Sequence, residues 1–151
     1  MASKTKKTVL FSILGMLLVA AFIGYTKYNK KHFSVTNATP SAKISATELH
    51  KTFSSNTTLA SNEFIGDEVN HKVIQVTGEV NEIKKDQQGS TILLLKTGID
   101  GAYINCTLEL LPKSISIGKT VTIKGICTGY NYDAEMGIPG DVILTRCLII
   151  I

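Results

Sequence analysis

The stretch Ile74-Gln-Val-Thr-Gly-Glu-Val-Asn81 alternates strictly: Ile74, Val76, Gly78 and Val80 fall on one face, and Gln75, Thr77, Glu79 and Asn81 on the other. A period of two marks a half-buried β-strand, because successive side chains leave opposite faces of an extended backbone. Gly78 in mid-strand favours a bend, which a small barrel needs in order to close.

Downstream the same period recurs. Asp86-Gln-Gln-Gly89 reads as a turn, and Ser90 to Thr97 as a second strand, apolar on both faces through Ile92, Leu93, Leu94 and Leu95. Gly98-Ile-Asp-Gly101 turns again. In the third strand Ala102, Ile104, Cys106, Leu108 and Leu110 are expected inward, with Tyr103, Asn105, Thr107 and Glu109 outward. A short connection, Pro112 to Gly118, leads to a fourth strand carrying Val121, Ile123, Gly125 and Cys127 on one face. A long loop is expected from Tyr130 to Gly140. The fifth strand follows from about Val142 to Ile150, with Ile143, Cys147 and Ile149 inward.

Upstream the period is helical. Ser45-Ala-Thr-Glu48 is a capping box, in which Ser45 and Glu48 satisfy each other's backbone N–H groups. Leu49, Phe53, Asn56, Ala60 and Phe64 then recur at helical spacing, and Asn56-Thr-Thr58 allows a break between two helical pieces. The pattern predicts a mainly β fold, a five-stranded OB-type Greek-key barrel with an N-terminal helix, preceded by a single transmembrane helix. A small sandwich lacking some strands is the alternative.

The N-terminal part has a different character. From Thr8 to Thr26 nineteen residues run without a charge. As a helix rising about 1.5 Å per residue they would span roughly 28 Å, close to the hydrocarbon thickness of a bilayer. Lysines flank both ends, and Tyr25 and Tyr28 stand where an aromatic belt would lie. The expected organisation is a basic tail over 1–7, a transmembrane anchor over 8–28, a polar stalk over 29–44 and the barrel domain over 45–151. The competing reading is a signal peptide cleaved after Ala21, but Phe22-Ile-Gly24 continues the apolar run past that point. A short basic tail favours a cytoplasmic N-terminus, with the domain exported to the periplasmic or extracellular side.

Charge divides the same way. Six lysines and no acid lie within residues 1–31, while residues 32–151 hold ten Lys/Arg against twelve Asp/Glu, a net of −2. A slightly acidic domain counts against nucleic-acid binding, whose affinity rests on neutralising phosphates. Cys106, Cys127 and Cys147 are about twenty residues apart with no C-x-x-C pair, which argues against a zinc site; neither metal nor cofactor is expected. Asp133 and Glu135 fall in an ordinary solvated loop, and His50 and His71 have no nucleophile at a recognisable spacing. No catalytic residues are assigned, and the chain is not read as an enzyme.

Several stretches together resemble a family of small bacterial OB-fold proteins named for likeness to the tRNA anticodon-binding domain. They are Glu48-Leu49 through Asn62-Glu-Phe64, Val76-Thr-Gly78, Asn105-Cys106, Gly118-Lys-Thr-Val-Thr-Ile-Lys-Gly125, Cys127-Thr-Gly129 and Cys147. The resemblance covers about Ser45 to Ile150 and implies the barrel. The family name records a fold likeness and does not imply tRNA binding.

OB barrels bind across their second and third strands, framed by the loops after the first and fourth. The candidate ligand-binding residues are therefore Lys84, Lys85, Tyr103, Tyr130 and Tyr132, although at any one position a tyrosine reads first as rim packing. The expected function is a membrane-anchored binding or interaction module of the cell envelope, with a protein or glycan partner. The alternative is a single-stranded nucleic-acid (or oligosaccharide) binding OB domain, and nucleic acid ranks well below the envelope binding module. The fourth and fifth strands form a hairpin centred near Gly137, so a symmetric register would oppose Cys127 and Cys147 and bring them within disulfide range. In an exported, oxidising setting a Cys127–Cys147 disulfide is the expectation, with Cys106 left as a reduced core residue; the alternative keeps all three cysteines as small buried hydrophobes.

Overall fold

The computed structural model describes residues 15–16, 18–25, 33–67, 70–110, 115–133, 135 and 137–150. The chain divides into two units, Met1–Phe33 and Ser34–Ile151. In the first, residues 18–25 are helical. The basic tail over 1–7 and both ends of the expected anchor over 8–28 lie outside the described residues. Among the described residues no helix is long and apolar enough to cross a membrane.

The second unit contains β1 (Ala42–Ser45), α1 (Ala46–Ser55), α2 (Thr57–Phe64), β2 (Val73–Lys85), β3 (Thr91–Lys96), β4 (Tyr103–Leu108), β5 (Thr120–Asp133) and β6 (Ile138–Ile150). The strands form one sheet in the order β1-β2-β3-β4-β6-β5, and β2 also pairs with β5. That last pairing closes β2 to β6 into a five-stranded barrel. β6 enters between β4 and β5, parallel to β4 and antiparallel to β5.

The capping box starts α1 as its sequence predicts: the Glu48 N–H donates to Ser45 Oγ at 3.2 Å, and the Ser45 N–H donates to Glu48 Oε2. Asn56 ends α1 and caps α2, its Oδ1 accepting the Leu59 N–H at 3.0 Å. Leu49, Phe53, Ala60 and Phe64 are buried on the barrel side. α1 seats closely because position 78 is glycine. A Cβ there would stand 2.8 Å from the Ala46 Cβ and 3.2 Å from the Leu95 Cβ.

Of the stalk expected over 29–44, residues 29–32 lie outside the described residues, and much of the remainder packs against the barrel. Val35 is 0% exposed, the Ser41 N–H donates to the Val73 carbonyl, and Ala42–Ser45 pair in parallel with Ile74–Thr77. Lys124, a buried lysine in β5, donates from Nζ to the Thr36 carbonyl at 3.0 Å, which partners an ammonium that would otherwise be costly to bury. Residues 34–44 therefore belong to the same compact unit as the barrel strands. The pairing that orders this segment comes from residues some thirty positions away, so local composition carries no trace of it.

Three further expectations are corrected. Leu110 lies beyond the end of β4 and is 69% exposed. In β6 the inward residues are Val142 and Leu144, then Cys147, while Ile143 is only partly buried. A bulge explains the change of phase. Arg146 adopts φ 53°, and the register shifts between Cys106/Leu108 and between Lys124/Ile126. Cys127 consequently pairs with Leu144 and not with Cys147, and the Cys127–Cys147 opposition of a symmetric hairpin does not arise. All three cysteines are buried free thiols. The Cys147 side chain fills the space over Gly125, where a Cβ would lie 2.6 Å from Sγ.

Candidate functional site

The segment expected as a long loop from Tyr130 to Gly140 is mostly hairpin. β5 continues to Asp133 and β6 starts at Ile138, with Tyr130 opposite Val142 and Asp133 opposite Ile138. Because this part of β5 is extended, Tyr130 and Tyr132 emerge on the same face. Their rings stack with centroids 6.0 Å apart and planes within 3°. Tyr130 is half-buried. It packs against Phe53 at 5.6 Å and meets the edge of His50 at 5.7 Å. Burial pushes its phenol up, against a smaller opposing effect of a hydrogen bond with the Gly140 backbone. Tyr132 is 53% exposed.

His50 comes from α1 and is only 2% exposed. Its Nε2 lies 2.8 Å from the Gly140 carbonyl. A carbonyl can only accept, so Nε2 carries the hydrogen and Nδ1 is left as a bare acceptor. Nδ1 is buried and has no hydrogen-bond partner. Gly140 is required at this crossing, since a Cβ would meet the Asn131 carbonyl oxygen at 2.5 Å and the Tyr130 ring at 2.8 Å.

Between α1 and the hairpin lies a cavity of about 380 Å³, lined by His50, Ser54 and Thr57 from the helical side and by Tyr130, Tyr132 and Pro139 from the hairpin. Ile99 and Gly137 line it too, and no Lys, Arg, Asp or Glu contributes among the described residues. Ile99 also borders a second cavity of about 250 Å³, which Tyr103 lines together with Asn81, Lys96, Thr97 and Asp100. There the Lys96 ammonium pairs with Glu79 at 2.5 Å. The Tyr103 N–H donates to Asp141 Oδ1 at 2.8 Å, tying the start of β4 to β6.

Of the residues singled out in the sequence, Tyr130 and Tyr132 come together, and Tyr103 lies in the adjoining cavity. Lys84 and Lys85 stand exposed at the far end of β2, beside the Asp86–Gly89 turn, and line neither cavity. The sequence reading missed His50, Ser54, Thr57 and Ile99. A signal for the first three existed: with Phe53 they sit three to four residues apart, one stripe along the helical segment. Among the described residues no group of three or more His, Cys, Asp or Glu could hold a metal ion.

Comparison with solved structures finds a lipoprotein from Klebsiella pneumoniae named for nucleic-acid binding, 18% identical, with a TM-score of 0.47 over 74% of this chain and 93% of that one. An asparaginyl-tRNA synthetase from Entamoeba histolytica is 15% identical, with a TM-score of 0.34 over 54% of this chain and 21% of the synthetase. No curated protein matches. A family model matches residues 1–137, through the turn that precedes β6. With most of its length inside that match, the chain belongs to the tRNA_anti-like family.

Proposed function

We propose that the protein is a membrane-anchored binding module of the cell envelope, not an enzyme, and that it takes its ligand in the aromatic cavity between α1 and the β5–β6 hairpin. The observation that carries this reading is the stacked tyrosine pair. Tyr130 is fixed by Phe53 and His50, so Tyr132 is presented as a supported and accessible ring at the edge of a 380 Å³ cavity. Ligand sites are typically concave, largely apolar and of a few hundred Å³, with a small number of polar groups. The anchor is supported by the uncharged run Thr8–Thr26 and its flanking lysines.

The nucleic-acid reading has less support. Single-stranded binding needs a basic groove beside its aromatic platforms. Among the described residues no cation lines the larger cavity, and Lys96 in the smaller one is already paired with Glu79.

Ligand-observed NMR with a library of small neutral fragments, using the full chain in detergent, tests the binding site. A set of hits that disappears in Tyr132→Ala is expected; hits indifferent to that substitution would place the site elsewhere. The anchor is tested separately. The protein should stay in the membrane fraction through alkaline carbonate washing, with its domain digested only from the exported side. Release into the soluble fraction would remove the anchor.

A further inference from the structure

The two cavities differ in chemistry yet share a wall. Ile99 lines both, so they adjoin, with Tyr132 on one side and Tyr103 on the other. An occupant reaching both must be longer than a single ring and must suit both chemistries. The described lining of the larger cavity is uncharged and aromatic. The smaller is polar, with Asn81 and Asp100 at its edge, and among the described residues neither side chain is held by a hydrogen bond or ion pair.

Three kinds of linear chain can be weighed against this arrangement. A nucleic acid brings a phosphate at every unit. It would meet the Asp100 carboxylate and a lysine already neutralised by Glu79, so counterion release would contribute little. A proline-rich peptide suits an aromatic groove, but the second position here offers an amide, a carboxylate and an ammonium where apolar surface would be needed. A neutral sugar chain satisfies both halves. The apolar face of a pyranose ring lies against an aromatic ring, while its hydroxyl edge both donates and accepts. Carboxylate and amide groups such as Asp100 and Asn81 match that edge without demanding a charge from the ligand.

We propose that the adjoining cavities form a two-subsite cleft for an uncharged linear oligosaccharide, with one sugar on Tyr132 and the next crossing Ile99 toward Asn81, Asp100 and Tyr103. This rests on the binding reading above. It places the ligand along the helix–hairpin side of the barrel, away from Lys84 and Lys85.

The test is calorimetric titration of the full chain, in a non-glycosidic detergent, with a panel of neutral tetrasaccharides that includes an N-acetylglucosamine tetramer. A proline-rich decapeptide and a deoxythymidine tetramer serve as competing probes. At least one tetrasaccharide should bind. Tyr132→Ala should weaken it about tenfold or more, the scale of losing one aromatic contact. Asp100→Ala should weaken it less, and the affinity should hold when salt is raised from low to high. Tyr132 and Asp100 are both exposed, so these variants should keep the wild-type circular dichroism. Tyr132-dependent binding of the peptide or the oligonucleotide, with no tetrasaccharide bound, would overturn the sugar and keep the binding site. Silence from every probe, together with no Tyr132-dependent fragment hits, would overturn both.

Discussion

Replacing Phe53 with alanine should cost about 3–5 kcal/mol of folding stability, the range for deleting a fully buried aromatic side chain. Phe53 is 0% exposed, and its position makes the upper part of that range reasonable. Its ring packs against Phe64 of α2 at 6.1 Å and Tyr130 of β5 at 5.6 Å, so one side chain joins both helices to the hairpin. Removing it leaves a void where three elements meet, which neighbouring side chains can fill only in part. Urea denaturation of the full chain in mild detergent is the measurement. The midpoint should fall with little change in slope, and Phe53→Leu should recover a large share of the loss. A loss below about 1 kcal/mol would mean that α1 is not packed on the barrel as described. Tyr130 would also lose a support, so any ligand affinity that depends on the tyrosine pair should drop in the same variant.

The second large effect is alkaline. Burial pushes the Cys127 thiol up to about 12, against a smaller lowering by a hydrogen bond with the Gly129 backbone. Cys106 is raised as well, first by its hydrogen bond with Cys147 and then by burial. For a thiol raised on folding, the contribution to stability is complete below the unfolded value of about 8.5. It is lost as pH climbs toward the folded value, because the unfolded chain releases the proton first. Each pH unit in that window removes about 1.4 kcal/mol per thiol, so Cys127 alone should cost on the order of 3 kcal/mol between pH 8 and pH 11. Tyr130 shifts in the same direction, so the comparison has to be differential. Cys127→Ala should lose less stability across that pH range than the wild type. Equal losses in the two proteins would show that Cys127 titrates normally and is not held in a dry core.

The parts of this fold that were legible from sequence are those whose cause is local. The capping box, the break at Asn56 and the inward set Ile74, Val76 and Val80 all stand where their spacing put them. Each depends on residues within a turn or two, or on a period set by the backbone itself. What escaped was set by partners distant in the chain. Ala42–Ser45 is a strand because Ile74–Thr77 lies beside it. The phase change in β6 comes from a bulge at Arg146, and alternation cannot show a bulge before the neighbouring strands are known. The site belongs with the second group. Tyr130 and Tyr132 were picked as residues of an expected loop, and their sharing one face follows only from the extension of β5 to Asp133; likewise nothing local brings His50 to Gly140, ninety residues away. Lys84 and Lys85 were picked from the usual use of an OB-fold loop, and this chain turns that loop away from its cavities.

The order in which the barrel closes has a consequence for biosynthesis. β2 is sealed against β5, pairing Val73 with a residue 53 positions further along the chain, and β6 must slot between β4 and β5. Until Ile138–Ile150 has been made, β4 and β5 each lack the neighbour on one edge, and the barrel stays open between them. At roughly 5–20 residues per second, synthesis from β2 to the end of β6 takes on the order of 4–15 s. Throughout that interval the nascent chain carries unpaired strand edges and exposed Leu, Ile and Val, the combination most prone to misassembly. The domain cannot fold piecemeal as it emerges, so its yield in a cell depends on whatever holds the strands apart until the last one arrives.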